Sequence, residues 1–212
     1  MNHSQHGEEA LIDRYLDAKA VGYACELGAG DGVTGSNTKF LEDLGWNVLC
    51  IEPNPYLALR CIKQRNRCIS FACGDSDREA TFYIRSFGGG EMTAGSSLNP
   101  DQAVMDDPRV GAGQTLRDLG AVEFEVTVMV KRLDELLEVQ NFHRLDFLSL
   151  DTEGTEAEVL RGFTLKRWNP RLVVVESWSP DEPHRAYFEA GGYRRVERLA
   201  VNDFYLREVS AP

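Results

Sequence analysis

The sequence predicts an α/β fold, in which a mostly parallel sheet carries helices on both faces and ends in an antiparallel hairpin. Two observations predict it. Short apolar runs of strand length alternate with stretches of helical periodicity along the chain. The last two strand-like segments, residues 193–199 and 203–207, are joined by only three residues and indicate the closing hairpin. At 212 residues, the chain is predicted to form one domain, residues 1–212.

Composition indicates a soluble protein that does not bind nucleic acid. The 23 Lys and Arg residues against 34 Asp and Glu residues give a net charge of −11, which opposes contact with nucleic acid or anionic membranes. The five cysteines lack a Cys-x-x-Cys pair and are interpreted as reduced core thiols. The start has no leader pattern and no apolar run reaches membrane-spanning length, so we expect a cytoplasmic protein without membrane insertion.

A glycine-rich turn after the first apolar run is the most informative stretch. The run at residues 21–25 leads into Glu26, and glycines follow at positions 28, 30 and 32. Glycines between a strand and a helix let the backbone take positive φ and approach a ligand closely. A dinucleotide-binding pattern needs its third glycine where this chain has Val33. The alternative interpretation is an ordinary turn whose glycines only allow tight packing.

Two acids flank this turn and indicate its ligand. Glu26 ends the first strand, and a carboxylate there repels a pyrophosphate but suits an ammonium group, such as the aminoacyl end of S-adenosylmethionine. Glu52 follows the second run, Asn47–Ile51, at the spacing where a carboxylate accepts hydrogen bonds from ribose hydroxyls. The helix after the turn would present its N-terminus to the ligand carboxylate, which contributes about 0.3–1 kcal/mol. We therefore predict S-adenosylmethionine as the cofactor.

The helices next to the turn follow from their apolar spacing. A short amphipathic helix is predicted at residues 10–19, after a polar lead-in at residues 4–8 that is either a tail, which composition favours, or a lid. The helix after the turn is predicted to bury Phe40, Leu41 and Leu44. Its start has capping oxygens from the serine and asparagine at positions 36 and 37.

A third strand is predicted at residues 67–73, after a helix at residues 56–65. Gly74 and Asp75 follow this strand. An acid at that point commonly faces the adenine amino group in such folds, and a simple turn is the alternative.

The middle of the chain holds two alternating strands, residues 80–85 and 122–130. Residues 86–120 between them are rich in Gly, Asp and Ser and lack periodicity. Such a stretch is usually a functional loop or a disordered insertion, so we interpret it as a mobile lid on the acceptor side, with disorder as the alternative.

An acidic segment follows a buried strand at residues 145–150. Asp151 and Glu153 come at the carboxyl end of this strand, where open α/β sheets bind ligands. We interpret the two acids as a general base, a substrate anchor or divalent-metal ligands, and no metal site is predicted. The alternative is an acid-rich helix start favoured by the helix dipole. A capping box between Thr155 and Glu158 is predicted to begin this helix.

Two more candidates for the base come late in the chain. Glu176 ends a predicted fifth parallel strand, Leu172–Glu176. His184 lies in a predicted loop between this strand and a helix at residues 185–190, and a lone loop histidine is more often a solvated side chain. Asp151 is therefore the preferred base.

With these segments in order, the chain resembles the FkbM-type family of S-adenosylmethionine-dependent methyltransferases. The matching pieces span nearly the whole length. They are Ser4-Gln5-His6-Gly7-Glu8-Glu9, Glu26-Leu27-Gly28-Ala29-Gly30-Asp31-Gly32 with Ser36-Asn37-Thr38, Glu52-Pro53-Asn54, Ser96-Ser97-Leu98, Leu150-Asp151-Thr152-Glu153-Gly154-Thr155-Glu156 with Leu160 and Gly162, Val173-Val174-Val175-Glu176, and Gly192-Tyr193. The resemblance implies a class I methyltransferase fold, Rossmann-like, with a seven-stranded sheet. It also implies O-methylation of a hydroxyl on a sugar, a glycan or a small secondary metabolite.

The resemblance also implies site residues, carried over position by position. Cofactor contacts are implied for Glu26, Gly28, Gly30, Asp31, Ser36, Asn37, Glu52 and Asp75, to which we add the neighbours Ala29, Pro53, Asn54 and Gly74. Asp151 and Glu153 line the implied transfer site. The family often has Asp where this chain has Glu26. An aminopropyltransferase on the same scaffold and a non-catalytic S-adenosylmethionine-binding module are the alternatives, and the sequence leaves the acceptor, metal dependence and oligomeric state open.

Overall fold

The computed structural model describes residues 3–16, 20–87, 91–92, 96–98, 122–177 and 183–208. The strands are β1 (Tyr23–Leu27), β2 (Asn47–Ile51), β3 (Cys68–Ile69), β4 (Ala72–Cys73), β5 (Arg78–Phe87), β6 (Glu91–Met92), β7 (Val122–Lys131), β8 (Phe147–Leu150), β9 (Leu172–Glu176), β10 (Tyr193–Leu199) and β11 (Asn202–Arg207). The helices are α1 (Glu8–Leu16), α2 (Lys39–Asp43), α3 (Pro55–Gln64), α4 (Leu133–Val139), α5 (Glu156–Arg161), α6 (Leu165–Trp168) and α7 (Pro183–Ala190).

Seven strands form one sheet in the order β10-β11-β9-β8-β1-β2-β3. Strand β1 pairs in parallel with both β2 and β8, whereas β11 runs antiparallel to β9 and β10. The predicted α/β fold with a mostly parallel sheet and an antiparallel edge hairpin is confirmed. Because the strand order reverses at β1, the crevice for a ligand lies at the carboxyl ends of β1 and β8.

The central strands are buried on both faces, as parallel strands covered by helices must be. On one face, Leu148 and Tyr205 belong to a core that includes side chains of α4, α5 and α7. On the other face, Phe147 and Phe204 pack with residues of α1 and α2. Neighbouring residues of a strand point to opposite faces, so β8 contributes to both cores.

The third strand predicted at residues 67–73 is divided between two sheets, which corrects the prediction of one continuous strand. Strand β3 stays beside β2, whereas β4 pairs with β7 through Ala72 and Val130. Strands β4, β7, β5 and β6 form a second sheet in that order. Strands β5 and β7 are antiparallel, with Ser86 opposite Val122, so the chain between them leaves and returns at one end of the pair.

The buried stripe predicted for α2 is wrong at Leu44, whose side chain is 55% exposed. The helix ends at Asp43, and Leu44 lies in the turn that follows. Gly45 completes this turn with a φ of +93°, a conformation that favours glycine.

The predicted capping box at the start of α5 does not form. The Thr155 hydroxyl donates to the carbonyl of Thr152 at 3.3 Å, and the Glu158 carboxylate accepts from Arg78 at 2.5 Å. Glu158 therefore ties α5 to β5, a long-range contact that local spacing cannot indicate.

Parts of three predictions lie outside the described residues. They are residues 17–19 of the first helix, residues 88–90, 93–95 and 99–120 of the insertion, and residues 179–182 before His184. Among the helices of the described ranges, none combines the length and the apolarity needed to span a bilayer.

We predict that Gly28→Ala destabilises the fold more than Gly30→Ala. Gly28 has a φ of +73°, and an added Cβ would lie 1.9 Å from the carbonyl oxygen of Asp151. Gly30 has a φ of +58° with no heavy atom within 4 Å of an added Cβ, so its substitution adds only backbone strain of about 1–2 kcal/mol. Gly28→Ala should cost at least about 2 kcal/mol more because β1 and β8 must separate. Urea unfolding measures both, and equal losses would contradict the prediction.

Candidate functional site

The glycine turn after β1 has one position that faces open space. An added Cβ at Gly28 would meet Asp151, and one at Gly32 would lie 2.7 Å from Cγ of Arg65. Tight packing therefore explains why glycine occupies positions 28 and 32. An added Cβ at Gly30 would meet nothing, so a ligand can approach the backbone at this residue.

Hydrogen bonds fix the turn to the end of β2. The amides of Gly28 and Ala29 donate to the carbonyl of Ile51, at 3.0 and 3.3 Å. The amide of Gly30 donates to the Glu52 carboxylate at 2.7 Å. The turn and Glu52 therefore form one unit at the crevice.

Glu52 is a buried acid beside the open face of Gly30. Its second carboxylate oxygen accepts from the amide of Asn54 at 2.8 Å, across Pro53. Burial raises the pKa of Glu52 to about 7, although the hydrogen bonds from the Asn54 and Gly30 amides act in the opposite direction. The Asn54 side chain accepts from the amide of Tyr56 and caps α3. The role of Glu52 toward ribose hydroxyls stays a prediction.

Glu26 lies at the centre of a buried polar network. One oxygen accepts from the hydroxyls of Ser36 and Thr38, at 2.8 and 2.6 Å, and the other from the amide of Asn37 at 2.6 Å. The guanidinium of Arg65 lies 3.3 Å from the first oxygen. Glu26 thus holds the segment after the glycine turn in place. Its predicted contact with an ammonium group stays a prediction.

Three amides at the start of α2, expected from the sequence to be free for a ligand, have acceptors within the fold. The amide of Asn37 is taken by Glu26, and the amides of Thr38 and Lys39 donate to the Ser36 hydroxyl, at 3.2 and 3.0 Å. Ser36 therefore accepts from the first amide of α2, as predicted, although the N-cap residue is Thr38, and the Asn37 side chain points to Ser149 and caps no amide among the described residues.

Arg65 is a site-forming residue that the sequence did not indicate. Its guanidinium is buried and donates to Glu42 at 3.0 Å and to the carbonyl of Gly32 at 2.9 Å, besides Glu26. No motif marks an arginine at the end of a helix. The one available signal is Gly32, whose missing side chain makes room for Arg65.

Asn37 carries a buried acceptor without a partner. Its side-chain amide donates to the Ser149 hydroxyl of β8 at 3.1 Å, whereas Oδ1 has no hydrogen-bond partner among the described residues. A buried unpaired acceptor costs about 1–3 kcal/mol. Asn37 is therefore able to accept a hydrogen bond from a ligand.

Asp31 organises the turn locally. Its carboxylate accepts from the amides of Val33 and Thr34, each at 2.8 Å. Burial opposes ionisation, but the amides of Thr34 and Val33 outweigh it and lower the pKa of Asp31. The prediction of a cofactor contact is not tested by these bonds.

Gly74 and Asp75 lie where the chain leaves β4. A Cβ at Gly74 would lie 2.6 Å from Oε1 of Glu158 and 2.7 Å from Val130, so close packing requires this glycine. The Asp75 carboxylate forms an ion pair with Arg161 at 3.2 Å. The adenine contact of Asp75 stays a prediction.

Three predicted acids are brought together at the carboxyl ends of β8 and β9. One carboxylate oxygen each of Asp151, Glu153 and Glu176 lies within 4.8 Å of the other two. Burial raises the pKa of Asp151 well above its usual range, and the nearby Glu153 carboxylate adds to the rise. Burial likewise raises the pKa of Glu176, with Asp151 adding to it. The carboxyl ends of parallel strands meet at one edge, which explains the convergence.

The loop that carries Glu153 is held in a rare conformation. Glu153 has a φ of +53°, which residues with side chains seldom adopt. The Ser97 hydroxyl donates to its carbonyl at 2.8 Å, and Glu156 accepts from the amides of Thr152 and Gly154, at 2.9 and 3.1 Å. Such backbone outliers cluster at functional sites. No role was predicted for Ser97 or Glu156, although both lie in segments of the resemblance.

His184 lies in α7 and not in a loop, which corrects the sequence interpretation. Its ring is 3% exposed and packs edge-on against Phe188 and Tyr205. Burial lowers the pKa of His184. The structure does not bring its ring nitrogens into the group formed by Asp151 and the two glutamates, so the base role of His184 is a prediction without geometric support.

The N-terminal segment before α1 packs against the loop that follows the glycine turn. Ser4 forms a β-bridge with Gly35, and a Cβ at Gly35 would lie 3.3 Å from Cγ of Gln5. The Glu9 carboxylate accepts from the amide of His3 at 2.6 Å. This segment therefore contacts the loop between the glycine turn and α2.

The strand order, the glycine turn on β1 and the acids after β2 and β8 define a Rossmann-like fold of the methyltransferase type. Residues 26–195 match the methyltransferase FkbM domain, and the chain belongs to this family.

Two fungal proteins are similar over shorter stretches. Methyltransferase sdnD of Sordaria araneosa is 41% identical over 70 residues, 29% of this chain and 26% of that protein. Methyltransferase 1 of Beauveria bassiana (strain ARSEF 2860) is 32% identical over 142 residues, 61% of this chain and 54% of that protein. The chain thus matches about a quarter to a half of the length of these relatives.

We predict that Arg65→Ala destabilises the fold by about 3–5 kcal/mol, because it leaves Glu26 and Glu42 buried without their cationic partner. Arg161→Ala is the control, since it breaks only the surface pair with Asp75 and should cost less than about 1 kcal/mol. Denaturant unfolding followed by circular dichroism measures both. A loss at Arg65 no larger than at Arg161 would show that the buried network does not stabilise the fold.

Proposed function

We propose that the protein is an S-adenosylmethionine-dependent methyltransferase that transfers the methyl group to a hydroxyl of a small metabolite, a sugar or a glycan. The observation that carries this proposal is one contact across the β1/β8 crevice. Gly28 of the glycine turn abuts the backbone of Asp151, so the turn, to which Glu52 is hydrogen-bonded through Gly30, packs against the main chain from which the Asp151 side chain extends. Cofactor-binding and proton-accepting groups therefore share one edge of the sheet.

The residues present fit the cofactor. Gly30 offers an open backbone approach, and Glu52 offers buried carboxylate oxygens for ribose hydroxyls. The unpaired Oδ1 of Asn37 suits the ammonium group of the methionine end. Glu26 adds negative charge near this end while it fixes the turn.

Asp151 is the proposed base. When bound, S-adenosylmethionine supplies a methyl group on a good leaving group, so the chain has to align the acceptor and remove its proton. Asp151 follows β8 at the crevice, within reach of a hydroxyl placed between the glycine turn and the acids. Accepting that proton typically contributes about 10²–10⁴-fold to the rate.

The acceptor is proposed to enter from the side of the second sheet. A groove of about 560 Å³ lies there, lined by residues that include Tyr83, Leu98, Gly154 and Thr155. Gly154 and Thr155 continue the loop of Glu153, which connects the groove to the acids. An aromatic ring beside hydroxyl and backbone groups suits a hydroxylated small molecule.

Two measurements test this function. Calorimetric titration with S-adenosylmethionine, S-adenosylhomocysteine and NAD should show binding of the two adenosyl compounds and not of NAD. A labelled-methyl assay against hydroxylated metabolites and glycans then tests turnover. Binding of NAD alone would overturn the cofactor assignment, and binding without transfer to any acceptor would favour a non-catalytic module.

We predict that the affinity for S-adenosylmethionine falls by up to about tenfold per pH unit as the pH drops below about 7. The pKa of Glu52 is raised to about 7, so the carboxylate that accepts the ribose hydroxyls is ionised above this pH and protonated below it. Calorimetry between pH 6 and pH 8 measures the change. Glu52→Gln should bind more weakly and lose this dependence, and an unchanged profile in the variant would remove Glu52 from cofactor binding.

We predict that Asp151→Asn keeps S-adenosylmethionine binding but lowers methyl transfer by about 10²–10⁴-fold, because the amide accepts no proton. Asp146→Asn is the matched control at the opposite end of β8, where the side chain accepts from the amide of Tyr23. It should leave transfer unchanged at the same cofactor affinity. An unaltered methylation rate in Asp151→Asn would remove this residue from the mechanism.

A further inference from the structure

We propose that Asp151, Glu153 and Glu176 bind a hard divalent cation of the Mg²⁺, Mn²⁺ and Ca²⁺ class. One carboxylate oxygen from each residue lies within 4.8 Å of the other two. Oxygens on opposite sides of a Ca²⁺ ion are about 4.6–5.2 Å apart, and those across Mg²⁺ about 4.0–4.2 Å. The three oxygens can therefore surround one ion of this class, which prefers oxygen ligands.

A buried oxygen without a partner supports this site independently of the clustering. The Glu176 side chain is 8% exposed, and its Oε2 makes no hydrogen bond in the described part of the chain. The carboxyl group that carries Oε2 faces Asp151 and Glu153. Because buried polar atoms in proteins are hydrogen-bonded or coordinate metals, the missing partner of Oε2 points to a cation.

Two other acids at the same edge differ from Glu176. Glu26 accepts from the hydroxyl of Thr38 and from Arg65, and Glu156 accepts from two backbone amides of the acidic loop. These two carboxylates have their donors within the fold. Oε2 of Glu176 has no such donor within the described ranges. Glu26 and Glu156 are therefore structural acids, whereas Glu176 is available to a ligand.

The surroundings of the site match a cation in charge and in access. No lysine or arginine among the described residues forms an ion pair with Asp151 or Glu176, and the groups that act on them electrostatically are other acids. Asp151 and Glu153 are only half-buried, so water can complete the coordination sphere. Each residue contributes one oxygen, which leaves the second oxygen of Asp151 for proton acceptance.

Titration of the EDTA-treated and dialysed protein with Mn²⁺, with free Mn²⁺ followed by electron paramagnetic resonance, tests the proposal without any methyl donor. We expect one bound Mn²⁺, displaced by Mg²⁺ or Ca²⁺. Glu153→Gln should weaken Mn²⁺ binding at least about tenfold, because it replaces a charged carboxylate ligand with a neutral amide. Glu153 is half-buried, so this substitution should leave the fold intact. Glu138→Gln, which removes an exposed carboxylate of α4, has the same net charge change and should bind Mn²⁺ like the wild type.

Thermal unfolding gives a second readout. Ca²⁺ should raise the melting temperature of the wild type and not that of Glu176→Gln, because only the wild type binds the ion in its folded state. Without cation, Glu176→Gln should melt at a higher temperature than the wild type, because the amide avoids the cost of burying a carboxyl group beside those of Asp151 and Glu153. Absence of Mn²⁺ binding to the folded wild type, or equal affinity in wild type and Glu153→Gln, would overturn the proposal. If Glu138→Gln weakened Mn²⁺ binding as much as Glu153→Gln, the binding would reflect general attraction of the cation to an acidic protein, and this would also overturn the proposal. Neither readout uses methyl transfer, so failure here is distinct from failure of the proposed function.

Discussion

The site depends on the buried ion pair between Glu26 and Arg65. Removing two charges from water costs several kcal/mol per ion, and the cost is offset only when hydrogen bonds satisfy the remaining atoms of both groups. Here the hydroxyls of Ser36 and Thr38 and the carbonyl of Gly32 supply those bonds. The end of β1, the glycine turn, the start of α2 and the end of α3 are thereby joined at one point. The position of the glycine turn, with the open side of Gly30 at the crevice, follows from this constraint.

Much of the large sheet is predictable from sequence, because parallel strands covered on both faces are continuous apolar runs. The bounds of β2 and β9 follow directly from such runs, and the edge hairpin follows from its short connection. The second sheet is not predictable in this way. An alternating pattern tells which residues share a face, but it does not tell which strand lies alongside. The change of sheet within residues 67–73 takes place over only two residues, Ser70 and Phe71, with no glycine or proline to mark it.

The candidate site is likewise predictable from sequence only in part. The convergence of Asp151 and Glu176 was predictable, because strand ends at one edge of a parallel sheet lie close together. The residues that hold this arrangement were not predictable, because the partners of Arg65 and Ser97, Glu26 and Glu153, are far away in sequence. His184 shows the converse error. Its position after a strand indicated the crevice, but the apolar packing of α7 draws the ring into the core.

The register of β5 and β7 has an evolutionary consequence. Ser86 stands opposite Val122, so the two points at which the intervening residues attach are neighbours on one ladder. The free energy of closing such a connection grows only slowly with its length, by about 0.6 kcal/mol for each doubling. Insertions and deletions between these anchors leave the pairing of either sheet intact. Natural selection can therefore remodel this part of the molecule while the scaffold that supports chemistry is inherited unchanged.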